Sequence, residues 1–148
     1  MKVFHSYGSK ERLFEMVRKV NNLNEQVLPV EQKNEVIDNF VKFAGEFLGL
    51  GTDVPNITIS YDENEAPGMK SFGKYTPHVS DLRVVAVNRN LADVLRTLAH
   101  ELVHYKQNKD GKLDISSNDT GSEAENEANA VAGVIMREYG AQNPIIFE

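Results

Sequence analysis

Leu91-Ala-Asp-Val-Leu-Arg-Thr-Leu-Ala-His100-Glu101-Leu102-Val103-His104-Tyr-Lys-Gln-Asn108 is the stretch that decides the fold. It reads as one helix carrying H-E-x-x-H. Two histidines four apart stand one above the other on a helix face, about 5–6 Å apart at Cβ. Both imidazoles can then reach one metal ion, and Glu101 between them can lean over a water on that ion. Leu91, Leu95, Leu98 and Leu102 line the side roughly opposite His100 and His104. A helix with an apolar stripe on one side and two histidines on the other belongs between a core and a cleft.

Working outward, the chain before this helix supplies a core. Residues 9–21 read as a helix with Ser9 as N-cap and Leu13, Met16, Val17 and Val20 on one face. A second helix is expected over 30–48, with Val36, Ile37, Phe40, Val41, Phe43, Ala44, Phe47 and Leu48 on one arc. Gly49 and Gly51 are its stop signals. The period then changes to two. Asn56–Tyr61 and Leu82–Asn88 read as strands, with a weaker one over 70–76 and a turn at 62–68. These predict a short, largely antiparallel sheet of about three strands, and so an α+β domain. Residues 1–148 are expected to form one domain: a helical buttress at 1–50, a small sheet at 55–90 and the metal-site helices at 91–140.

After the H-E-x-x-H helix, Asp110-Gly111 is a stop and 112–121 a polar loop. The last helix is expected from Ser122 or Glu123 to about Tyr139, with Gly140 as its C′ residue. Thr120 with Glu123, or Ser122 with Glu125, can form its capping box. A Glu125 engaged elsewhere favours the Thr120 version. The Ile145–Phe147 tail is expected to lie extended against the core.

The site still lacks a ligand. Catalytic zinc takes three protein ligands and keeps one position open. The four histidines are His5, His78, His100 and His104, and none follows His104. A downstream third ligand is therefore a carboxylate: Glu123, Glu125 or Glu127. On a helical wheel Glu125 shares its side with Ala128, Asn129, Ala132, Ile135 and Met136, while Glu123 and Glu127 point the other way. The small alanines would let this helix pack closely on the H-E-x-x-H helix. Glu125 is the expected ligand, and Asn129, one turn on, is placed to hydrogen-bond a ligand imidazole.

H-E-L-V-H at 100–104, followed after twenty residues by Glu125-Asn-Glu-Ala-Asn-Ala-Val-Ala132, resembles the zincin metallopeptidases of the gluzincin type. The E-x-E-A-N-x-x-A variant is most similar to the ImmA/IrrE-like peptidases. Val103 and Val131 depart from the glycine and the aromatic usual there. The resemblance implies a minimal zincin fold with one Zn2+ per chain on His100, His104 and Glu125. It implies Glu101 as general base in peptide-bond hydrolysis. It also implies an edge strand before the metal helix, here Val84, Val85, Ala86 and Val87, that pairs with a peptide or protein substrate. An oxyanion stabiliser beyond zinc is also needed, and Tyr75 and His78, in the loop leading to that strand, are candidates for it. The alternative is an inactive zincin-like module that binds metal and clasps a peptide without cutting it.

Composition bounds the other classes. The net charge is −6, and residues 109–148 hold three basic against eight acidic side chains. Such a surface is a poor match for nucleic acid. No apolar run is long enough to span a membrane. The absence of cysteine excludes disulfides, cysteine nucleophiles and zinc ribbons. A cytoplasmic location is the expectation.

Overall fold

Helix α1 (Val30–Phe47) forms where the apolar period places it. Ile37, Phe40, Val41 and Ala44 are buried on one face, and Phe47 at its end is exposed. The helix stops in a Schellman motif. Gly49 takes φ 73°, which an L side chain resists. Leu50 N–H then reaches the Gly45 carbonyl at 2.8 Å, and Gly49 N–H reaches Glu46 at 3.1 Å. The computed structural model describes residues 3–7, 30–62, 72–77, 80–112 and 122–147. The helix expected over 9–21, His78, and most of the turn at 62–68 and the loop at 112–121 lie outside these residues.

The sheet differs from the expectation. It has four strands, β1 (Val3–Ser6), β2 (Asn56–Ser60), β3 (Gly73–Thr76) and β4 (Asp81–Val85), in the order β1-β2-β4-β3. β1 pairs with β2 and β2 with β4 in parallel, and only β3 and β4 are antiparallel. The sheet is therefore mixed and mainly parallel. The long connection between β1 and β2 includes α1, and a crossover of that length permits a parallel pair. β1 supplies four residues to a segment expected to be helical.

The order also corrects the expected substrate edge. β4 lies between β2 and β3, with Ile59 opposite Val84 on one side and Gly73 on the other. Val84 and Val85 are fully buried, and Ala86 N–H bonds Ser60 O at 2.7 Å. Val87 is 5% exposed. All four side chains are buried, and Val84 and Val85 belong to a central strand whose two edges are already paired. The terminal strand on the side of the site is β3.

Helix α2 (Leu91–Lys109) is capped by Asn90, whose side chain accepts from Asp93 N–H at 2.9 Å. Leu91, Leu95, Leu98 and Leu102 are buried as expected. Helix α3 (Glu123–Gln142) covers its other face. Ser122, not Thr120, is the α3 N-cap and accepts from Glu125 N–H at 3.1 Å. The α3 helix also runs past Gly140. A Cβ at that position would lie 2.5 Å from the Phe147 ring, so this glycine admits the folded-back tail instead of ending the helix. The tail is a 3-10 helix, Pro144–Phe147, with Ile146 buried, and not an extended segment.

β3 approaches α2 closely at Gly73. A Cβ there would stand 2.6 Å from Thr97 Cγ2, 3.0 Å from Glu101 Cγ and 3.1 Å from Glu101 Oε1. Gly73→Ala should therefore cost roughly 1–3 kcal/mol of stability by overpacking. Thr97→Ser in the same chain, which deletes the nearest methyl, should recover part of the loss. Urea unfolding of the single and double variants measures both effects, and an alanine with wild-type stability would contradict the close approach.

Candidate metal centre

One turn of α2 separates His100 from His104, and their rings sit edge to face with centroids 4.7 Å apart. Both Nε2 atoms turn the same way and lie 3.1 Å from each other. The first turn of α3 brings Glu125 against them. Its Oε1 is 2.9 Å from His100 Nε2, and its Oε2 is 3.0 Å from His104 Nε2. Ala128 and Ala132 are buried, and their small side chains let α3 lie close on α2.

The residues present fit a metal ion. Two imidazole nitrogens and a carboxylate oxygen, all within 4.8 Å of one another, converge from two helices. That donor set is the one used by catalytic zinc with an open position. Burial holds the His100 pKa below its ordinary value, against the opposing pull of Glu125. A neutral ring is the form that binds metal.

Glu101 lies beside this group and is 9% exposed. Burial pushes its pKa up from 4.5 to about 7, the Glu125 charge adds to the rise, and His104 and the Tyr75 backbone N–H oppose it. The carboxyl group is therefore poised to exchange a proton near neutral pH. The Tyr75 main chain serves Glu101, whereas its hydroxyl accepts from Asn108 Nδ2 at 3.0 Å and its ring meets Tyr105 edge-on. One of the two candidate oxyanion stabilisers, the Tyr75 hydroxyl, is directed instead to the far end of α2.

Asn129 lies within hydrogen-bonding reach of the His100 ring. The roles of two further residues were not visible in the sequence. Gln107 Oε1 stands 2.8 Å from His104 Nδ1. Glu127, placed on the far side by the helical wheel, reaches back so that its Oε1 accepts from Gln107 Nε2 at 3.0 Å. The i+3 spacing from His104 to Gln107 was the available signal.

The Glu101 shift carries a prediction for chelator-treated protein. The unfolded chain loses this proton near pH 4.5, whereas the folded chain holds it to about pH 7. Stability present below the lower value is therefore lost as pH rises through the higher one. Glu101→Gln removes that loss. The metal-free variant should melt a few degrees above wild type at pH 8, with the gap closing below pH 4.5. A constant gap across the range would contradict the raised pKa.

Comparison with known proteins agrees with the ImmA/IrrE-like part of the resemblance drawn from the two helices. No curated protein and no solved structure shows significant similarity to the chain. The model of the peptidase M78 family, described as the IrrE N-terminal-like domain, matches residues 56–141. That span runs from β2 through both helices of the His100–His104–Glu125 group and covers more than half of the chain, which therefore belongs to the IrrE N-terminal-like family.

Proposed function

We propose that the chain is a zinc-dependent peptidase with His100, His104 and Glu125 as metal ligands and Glu101 as general base. The observation that carries this reading is the convergence of three donor atoms beside a buried carboxyl group. When bound, zinc would activate a water and polarise the scissile carbonyl. The Glu101 carboxylate accepts the proton of the attacking water and returns it to the leaving amine nitrogen. The Tyr75 N–H and the tight packing at Gly73 hold that carboxyl group in place. Asn129 orients the His100 ring.

An extended peptide fits best along β3, the terminal strand of the sheet, by adding a strand to it. A peptide there passes Glu101, because the Tyr75 N–H already meets that side chain. A module that only clasps peptides has no use for a buried acid of raised pKa at this point, and this favours hydrolysis.

Metal analysis of the purified chain should find about one zinc, as three convergent ligands predict. Glu125→Ala should lose it and Glu123→Ala should keep it, since Glu123 is exposed and does not join the donor group. Glu101→Gln should retain zinc while hydrolysis of a quenched-peptide library falls by about 10²–10⁴-fold. Full activity in that variant would sink the enzyme reading.

A further inference from the structure

Gln107 is 3% exposed and is absent from the ligand set proposed above. Its side chain has three partners. Oε1 lies 2.8 Å from His104 Nδ1, and Nε2 lies 3.0 Å from both the Ala124 carbonyl and Glu127 Oε1. These partners fix the orientation of the amide. A carbonyl and a carboxylate can only accept, so the NH2 group must face them and Oε1 must face the imidazole. An amide oxygen also only accepts, so His104 Nδ1 carries the hydrogen. In the neutral ring the lone pair is then on Nε2, the nitrogen that faces Glu125 and His100.

We propose that Gln107 is a positioning residue that selects the metal-binding tautomer of His104 and ties that ring to the first turn of α3. The inference rests on the metal-centre reading above. One amide acts on two ligands at once. It fixes the rotation of the His104 ring through Oε1. Through Nε2 it holds the backbone carbonyl of Ala124, the residue immediately before Glu125. Glu127 completes the clamp by accepting the second N–H of the amide. Exposed Glu127 thus takes part in the metal centre without facing the ion.

The test uses the full chain and two variants. One is Gln107→Met, which keeps bulk and removes both functions. The other combines Gln107→Glu with Glu127→Gln, which reverses the polarity of the pair. A carboxylate at 107 again accepts from Nδ1, and an amide at 127 donates to it, while the Ala124 carbonyl loses the Gln107 donor. Zn2+ affinity is read by competition with a chromogenic chelator. The Nδ1 proton of His104 is read by imidazole nitrogen NMR on zinc-loaded protein.

Gln107→Met should bind about 10- to 100-fold more weakly than wild type, as loss of a ligand's hydrogen-bond partner typically does. The His104 Nδ1 proton, slow to exchange in wild type, should exchange rapidly in Gln107→Met. The paired swap should recover the slow proton and, having lost the tie to the Ala124 carbonyl, only part of the affinity. Wild-type affinity in Gln107→Met overturns the proposal. So does a paired swap whose Nδ1 proton exchanges as rapidly as in Gln107→Met, because position 107 would then only fill space. If Gln107→Met fails to fold, the swap compared with wild type decides, and rapid exchange of the Nδ1 proton in the swap overturns the proposal. A wild-type chain that takes up no zinc overturns the metal-centre reading and this inference together. That pattern is distinct from tight binding left unchanged by either variant.

Discussion

The Glu125 carboxylate spans two imidazoles at 2.9 and 3.0 Å, and that contact forms only because α3 lies close on α2. The closeness comes from small residues. Ala128 and Ala132 are buried below Glu125, where larger side chains would hold the helices apart. A half-buried carboxylate with no partner would be costly. Here it faces two imidazole nitrogens across a gap suited to a shared cation, and Ser122 accepts from its own backbone N–H at the start of the helix. A cation among these groups would satisfy all three ligand atoms together, so packing, capping and metal binding would draw on the same contact.

The strand side of the site depends on an equally tight approach. Gly73 lets β3 come against Thr97 and Glu101 on α2. That approach buries the Glu101 carboxyl group and brings the Tyr75 N–H to it. Burial raises the Glu101 pKa, and the backbone donor moderates the rise. The raised Glu101 pKa is thus a consequence of strand-to-helix packing, not of the H-E-x-x-H motif alone. The same packing makes β3 the strand next to the acid, while β4 behind it is committed to the core.

Much of the site was legible because helices are local. The spacing of His100 and His104 needs only 3.6 residues per turn to put both rings on one face. The absence of any later histidine, with the wheel of the last helix, singled out Glu125 among three neighbouring glutamates. The structure brings these three side chains together. What the wheel could not show is how far a long side chain bends. Glu127 starts from the wrong face and still reaches Gln107, and the Tyr75 side chain leaves the site while its main chain stays.

By itself the sequence determined where the three described α-helices lie, where α1 and α2 stop, and which residue types could bind a metal. Those properties follow from period, caps and glycine, all set within a few residues. Only the tertiary structure decided the strand order, the mainly parallel pairing, the burial of residues 84–87 and the use of Gly140 as a seat for Phe147. Strand partners lie far apart in the chain: Val3 pairs with Ile57, and four residues of β1 carry too short an alternation to name that partner. Gln107 was visible as a letter, but its role required α3 to arrive with the Ala124 carbonyl and Glu127, and helix-to-helix packing alone brings them there.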